Sequence, residues 1–448
     1  MSKPKKLSIF SLTWPIFLEI LLFMLMGNMD VFMLSQYSDD AVAAVGVANQ
    51  FLQVALVMFG FVSAGTAVII SQYIGAKKIK VAKQVSAVAI VSSLVLGLIV
   101  SLVFILAPRA LLTIMDLPDA LMAEAQFFIM VVGGFIFIQS VLATMGAILR
   151  SYGYTRDMLL VTATMNILNV GINAIVIFGL FGVPVLGVPG VAVGTAICKL
   201  VGLMIAIAIL LKRIGNPFQT IKFKQFPVNY VKQIFRIGLP AAGENLSYSG
   251  YQLMLIMFIT AMGTVALTTR IYTRNINMFI FLFTIALAQG IQIILGQLMG
   301  AKQYDEIYKR CYTYLKAAIM VSTLGAIVCY FLAGPILSIF TDNQEVIATG
   351  RLLFLLTIIL EPGRAINIIV IFALRATGDV KFPVYVGIIF MWGIGVAFGY
   401  LFGVVFGWGL VGIMIAMIMD EWFRGILMLI RWRSRIWQTK GIVSETAS

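Results

Sequence analysis

Long runs of apolar residues recur along the chain, each separated from the next by a short polar break. A bilayer hydrocarbon core about 30 Å thick needs roughly 20 apolar residues per helical span. About twelve runs meet that length, beginning near Leu12, Gly46, Gln84, Leu121, Met158, Gly190, Gly238, Ala266, Tyr314, Gly350, Phe382 and Gly409. The pattern predicts an all-α polytopic membrane protein. The first run follows Lys3, Lys5 and Lys6 but lacks a small-residue cleavage site, and it contains Glu19 and Asp30. It therefore reads as a retained span rather than a removed leader.

Composition agrees with the pattern. Of the 448 residues, 61% are hydrophobic and 11% charged, with a mean hydropathy of +1.03. A soluble domain carries about 25% charge. There is no histidine, which excludes histidine triads and histidine metal sites. Cys198, Cys311 and Cys329 lie in separate apolar runs without CxxC spacing, so neither a disulfide framework nor a zinc site is expected. The net charge of +14 would suggest nucleic acid on a soluble protein, but here location decides. Of 32 Lys and Arg, 26 fall in alternate breaks: the N-terminus, 77–83, 150–156, 212–236, 302–316, 375–381 and 424–440. The other breaks hold only Arg109 and Arg351, against Asp39, Asp40, Asp116, Asp119, Glu124, Asp342 and Glu345. Cytoplasmic loops are enriched in Lys and Arg, so both termini are expected in the cytoplasm, and no nucleic-acid partner is expected from charge so dispersed.

The two halves repeat at a constant offset. Pro15 and Glu19 answer Pro240 and Glu244; Gly75-Ala76-Lys77 answers Gly300-Ala301-Lys302; Leu149-Arg150 and Gly153 answer Leu374-Arg375 and Gly378. Each pair is 225 residues apart, and Gly187 and Gly190 answer Gly409 and Gly412 at 222. Six spans per half is an even number, so both halves enter the membrane in the same direction. Such a repeat implies two lobes related by a pseudo-two-fold axis along the membrane normal, with a substrate site near the midplane. The expected organisation is an N-lobe over 1–212, a basic linker over 213–233, a C-lobe over 234–437 and a tail over 438–448.

Ionisable residues inside spans cost at least about 2.5–3.5 kcal/mol each at the bilayer centre and usually face a cavity. Eight stand out: Glu19, Asp30, Lys199, Glu244, Arg270, Arg274, Glu361 and Arg364. Asp30 lies deep in the first run, two residues after Asn28. A low dielectric penalises its charged form unless a cation sits beside it, so it can take up and release H⁺ or Na⁺; a permanent pair with Lys199 is the rival reading. On the fifth run Asn166, Asn169 and Asn173 share one helix face, and on the sixth Thr195 and Lys199 do. These are coupling residues or interhelical polar glue. In the second half Glu361-Pro362-Gly363-Arg364 predicts a broken or kinked helix. Arg270 and Arg274, with Asn275, lie on the eighth run; Glu244 and Glu361 either neutralise these arginines or form a cavity wall with them. Asp420 and Glu421 are expected near the last cytoplasmic helix end, paired with Arg424. Met33, Met254, Met257 and Met278 are candidate lining residues by depth. Because no GxxxxGK[ST] loop and no HExxH or GxSxG motif is present, neither ATP-driven transport nor an enzyme is expected.

Two six-helix halves, Asp30 within Asn28-Met29-Asp30-Val31-Phe32-Met33, and Leu149-Arg150-Ser151-Tyr152-Gly153 with its copy Leu374-Arg375-Ala376-Thr377-Gly378 resemble the multidrug and toxic compound extrusion family over nearly the whole chain. The resemblance implies an antiporter of the bacterial cytoplasmic (inner) membrane. It would export a small amphiphilic organic substrate as a monomer, using H⁺ or Na⁺ as coupling ion and no cofactor. The family's first-lobe cation site, an Asp on the first helix, an Asn and an Asp four apart on the fifth and a Thr on the sixth, matches Asp30, Asn169, Asn173 and Thr195. Asp30 and Asn169 are its candidate Na⁺ ligands. Two departures stand out: the fifth-helix acid is an amide, Asn173, and Lys199 adds a positive charge one turn beyond Thr195. Both weigh against a Na⁺ site and against purely cationic substrates. Acids in the second lobe carry the coupling in some members, which here implies Glu244 and Glu361. The same motifs suit lipid-linked oligosaccharide flippases of the wider superfamily, so a flippase for an amphiphilic anion is the alternative, and a passive channel is a third class.

Overall fold

The computed structural model describes residues 8–115, 117–221 and 226–443. The N-terminal lysines, Asp116, Lys222, Lys224, the end of the tail and the side chain of Asn28 lie outside the described residues. Twelve long helical stretches occupy the described chain, and every expected span falls inside one. The first six are α1 (Ile9–Ser35), α2 (Asp39–Gly75), α3 (Ile79–Leu106), α4 (Asp119–Gly133 and Ile136–Ser151, bent by 40°), α5 (Thr155–Phe178) and α6 (Gly187–Arg213). The second six are α7 (Val228–Ala261), α8 (Thr264–Gly300), α9 (Tyr304–Phe331), α10 (Gln344–Thr377), α11 (Lys381–Val405) and α12 (Gly409–Arg433). Nine are long and apolar enough to cross a membrane by composition, and the bent α4 makes a tenth. Polar residues keep α7 and α12 below that threshold: Glu244, Asn245, Ser247, Ser249 and Gln252 lower the hydropathy of the first, and Asp420, Glu421 and Arg424 place three charges in the second. The chain is a multi-pass membrane protein.

The repeat is visible element by element. Helices α2 and α8 both run 37 residues, and α3 and α9 both run 28. At 1.5 Å per residue the longer pair measures about 55 Å, well beyond the hydrocarbon core. The turns repeat as well. Gly153 and Gly378 end α4 and α10 with φ of 87° and 97°, a left-handed conformation that glycine adopts without a Cβ penalty. In both, the glycine N–H donates to the arginine carbonyl three residues back, and the next N–H donates to the leucine carbonyl before that arginine. Lys77 and Lys302 repeat a left-handed turn at φ 59° and 57°, which costs a non-glycine residue roughly 1–2 kcal/mol.

The chain divides into two compact units, Met1–Ile74 with Lys78–Leu239, and Gly75–Lys77 with Pro240–Ser448. The division falls inside α7, next to Pro240. The segment after α6 folds back on the first unit, where Gln84 Nε2 donates to the Thr220 carbonyl at 3.1 Å. In that unit α5 packs along α1 and α6, and α3 along α4. Ser93, Gly97 and Ser101 form a small-residue stripe at four-residue spacing on α3. A Cβ on Gly97 would sit 2.7 Å from the Phe137 backbone, and Ser140 Oγ donates to the Ser93 carbonyl at 2.9 Å. Small residues allow this close approach, which replaces the hydrophobic drive that helices lack in lipid.

In the second unit α10 packs against α8, α9 and α12. Asn343 caps its start, the side chain accepting from the backbone N–H of Glu345 and Val346, as N-cap residues do. Of the expected break or kink at Pro362-Gly363, the break does not occur: α10 is continuous from Gln344 to Thr377. The loosened turn is held by tertiary contact instead. Trp422 Nε1 donates to the Ile359 carbonyl at 2.8 Å, and the missing Cβ of Gly363 makes room for the same indole.

Candidate functional site

In the first unit, the face of α5 predicted by spacing is the face that meets α1 and α6. Asn166, Asn169 and Asn173 are all buried. Asn166 Nδ2 donates to the Leu22 carbonyl at 2.7 Å. Asn173 Nδ2 donates to Asp30 Oδ1 at 2.7 Å and, more weakly, to Asn169 Oδ1 at 3.4 Å. Asn169 Nδ2 donates to Thr195 Oγ1 at 3.2 Å. Asp30, Asn173, Asn169 and Thr195 thus form one hydrogen-bonded chain across α1, α5 and α6. Each interhelical bond of this kind contributes about 0.6–2 kcal/mol in a membrane, and the chain fixes which face α1 turns inward. Asn173 Oδ1 stays buried without a partner.

Lys199, one turn beyond Thr195 on α6, is near enough for its charge to act on Asp30. No nitrogen–oxygen contact within 4.0 Å joins the two. Asp30 is therefore held by an amide and only faced by the ammonium, so the locked-pair reading does not describe this geometry. The pocket is electrically balanced, one carboxylate against one ammonium.

In the second unit the predicted residues separate. Glu361 pairs with Arg364 at 2.5 Å, as their spacing on α10 suggests. Glu244 turns away from the other arginines and pairs with Arg375 at 2.5 Å. Its repeat mate does the same: Glu19 pairs with Arg150 at 2.7 Å. Both bridges join partners 131 residues apart. They clamp α1 to the end of α4 and α7 to the end of α10. Sequence reasoning missed this pairing, although Glu19 and Arg150 are both duplicated at offset 225.

Asp420 and Glu421 are a correction. They lie in the middle of α12 rather than near its C-terminal end, and are buried. Arg424 reaches Asp420 at 2.6 Å and Glu421 at 3.3 Å. Glu421 also accepts from Asn367 Nδ2 at 2.8 Å and lies 3.7 Å from Arg364 Nε. The expected α12 pair is thus part of one buried network that includes Glu361 and Arg364. Arg270 has no carboxylate within 4.0 Å among the described residues; Arg274 and Asn275 are exposed. Of the candidate lining methionines, Met33 is buried in the core, whereas Met257 and Met278 are exposed. Among the described residues no group of three or more Cys, Asp or Glu could hold a metal ion.

The comparisons with known proteins bear on this arrangement. The MatE family model matches residues 15–175 and 240–401, one stretch in each unit and starting 225 residues apart. The chain is 50% identical over 444 residues to an uncharacterized transporter, YisQ, of Bacillus subtilis, covering 99% of this chain and 98% of that one. It is 26% identical over 428 residues to a probable multidrug resistance protein, NorM, of Thermotoga maritima, covering 95% and 92%. The fold is similar to the bent form of the Vibrio cholerae MATE transporter VcmN, with a TM-score of 0.86 at 20% identity over 97% and 98% of the chains. It is also similar to a MOP superfamily transporter of Pyrococcus furiosus described as having a binding pocket of reverse polarity, with a TM-score of 0.85 at 20% identity over 96% and 95%. With both repeats matched and a half-identical transporter aligned along almost its full length, this chain belongs to the multidrug and toxic compound extrusion family, whose members are transporters and not enzymes.

Proposed function

We propose that the chain is a cation-coupled antiporter that exports amphiphilic organic compounds across a bacterial cytoplasmic membrane by alternating access. The observation that carries this reading is the Asp30–Asn173–Asn169–Thr195 chain, which ties one carboxylate on α1 to two neighbouring helices. Protonating Asp30 removes the charge that its Asn173 hydrogen bond and the facing Lys199 stabilise. The packing of α1 on α5 and α6 then differs between the loaded and empty states. Coupling requires such a state-dependent difference, because an ion that binds both states equally shifts nothing.

A proton suits this pocket better than Na⁺. Lys199 offsets the only carboxylate, and Asn173 presents an N–H to it. A hard cation prefers several converging oxygens, carboxylates among them, and here the oxygens without a partner on α5 are two neutral amides, Asn166 Oδ1 and Asn173 Oδ1. In proteoliposomes, an imposed pH gradient is expected to drive dye export, while a sodium gradient with the pH clamped drives none. Sodium-driven export under that clamp would overturn the proton assignment.

The asymmetry of Lys and Arg supports both termini being cytoplasmic. A cysteine placed at Asp342, in a cysteine-free background, is expected to react with a membrane-impermeant maleimide from outside intact cells, and one at Lys302 only after the cells are opened. The reverse pattern would invert the topology.

A further inference from the structure

Arg270 sits on α8 with its guanidinium turned toward α12. Its Nη1 and Nη2 meet the thioethers of Met414 and Met417 at 3.7 and 3.5 Å. A thioether is a weak acceptor and carries no charge. No carboxylate lies within 4.0 Å of this guanidinium among the described residues. The nearest network of acids is already engaged, Glu361 by Arg364 and both Asp420 and Glu421 by Arg424.

A second, independent observation points to the same place. Tyr251 is 2% exposed, and its hydroxyl has no hydrogen-bond partner. A buried hydroxyl without a partner is uncommon and costly, and a guanidinium without a counter-charge more so. Tyr251 packs in the same core cluster as Met414 and Met417, the two side chains that Arg270 meets, so a hydroxyl without a partner and a guanidinium without a carboxylate lie around the same two sulfurs. One turn further along α8 the exposed Arg274 adds positive potential at the approach.

We propose that Arg270 and Tyr251 form an oxyanion site, and that the transported compound is an amphiphile bearing a carboxylate, sulfonate or phosphate. The use of the site in export rests on the antiport reading above; its existence does not. The guanidinium fork matches two oxygens of a planar or tetrahedral anion, and the Tyr251 O–H donates to one of them. Met414 and Met417 then lie beside the ligand's apolar part, where flexible thioethers adapt to varied shapes.

Binding can be read without transport. The full chain is placed in phosphatidylcholine nanodiscs and titrated, by fluorescence anisotropy, with fluorescein as the anionic probe and a cationic rhodamine ester of similar ring size. Fluorescein is expected to bind the wild type more tightly than the rhodamine. Arg270→Gln is expected to weaken fluorescein by about tenfold or more, as for loss of a hydrogen bond to a charged group. Tyr251→Phe is expected to weaken it severalfold, and neither change should move rhodamine binding. Arg270→Lys, which keeps the charge, is expected to retain more affinity than Arg270→Gln; should the Gln variant fail to fold, the Lys and Phe variants decide. Adding phosphatidylglycerol to the disc separates two sources of the anion. Competition with fluorescein identifies a lipid headgroup, and no competition identifies a soluble amphiphile. Equal affinity for both dyes, or fluorescein binding unaltered by the substitutions, overturns the site. Intact anion binding in a protein that neither ion gradient drives would overturn the antiport reading and leave this site standing.

Discussion

Asp30→Asn is expected to abolish gradient-driven export while leaving the protein folded. The substitution keeps the shape of the side chain and an oxygen that accepts from Asn173, so the 2.7 Å link between α1 and α5 survives. It removes the group proposed to exchange a proton and leaves Lys199 facing no negative charge. Coupling energies between two sites are typically about 1–3 kcal/mol, or 5–150-fold, and this variant forfeits the whole of that difference. Dye export under an imposed pH gradient should fall to the level of empty liposomes, with the thermal midpoint near that of the wild type. Asp30→Glu, which restores the carboxyl one methylene further out, should recover part of the rate. An Asp30→Asn protein exporting dye at the wild-type rate would remove Asp30 from the mechanism.

Arg424→Met is expected to give a large loss of stability. Arg424 is 4% exposed and holds two buried acids, Asp420 at 2.6 Å and Glu421 at 3.3 Å. Removing it leaves Asp420 with no cation, and Asp420 Oδ1 already lacks a hydrogen-bond partner. Breaking a buried pair from one side costs about 3–5 kcal/mol, because the remaining charge is stranded. The contrast is Arg435 with Asp305, an exposed bridge at 3.0 Å, where loss of the partner costs about 0–1 kcal/mol. Thermal unfolding in detergent, followed by size exclusion, should show Arg424→Met well below wild type and Arg435→Met close to it. Adding Asp420→Asn to Arg424→Met should recover part of the loss, since the stranded charge is then gone. If Arg424→Met melts with the wild type, the network on α12 is not what holds α10 and α12 together.

Much of the N-lobe site was legible because helical spacing fixes which side chains share a face. The period of α5 aligned Asn166, Asn169 and Asn173, and the same rule set Thr195 beside Lys199. What spacing cannot give is the partner across a helix interface. Lys199 was the obvious counter-ion for Asp30 by charge, yet the hydrogen-bonding partner is Asn173, because α5 brings an amide into contact while the ammonium stays beyond 4.0 Å. Glu244 was likewise grouped with the arginines of its neighbouring spans and instead meets Arg375, far along the chain. The expected break at Pro362 failed for a related reason. Proline removes a hydrogen bond locally, and the indole of Trp422, 60 positions on, supports the same turn.

The helical, multi-pass character of the chain, its two-fold repetition and the polar face of α5 were determined by the sequence. Each follows from a local rule: hydrocarbon thickness, a constant offset, the period of a helix. Only the tertiary structure decided which charges neutralise one another. It joined Glu19 to Arg150 and Glu244 to Arg375, gathered Glu361, Arg364, Glu421 and Arg424 into one network, and left Arg270 against two sulfurs. Electrostatic pairing depends on distances of a few ångströms between helices remote in sequence, and hydrophobic periodicity sets the face of a helix but not its neighbour.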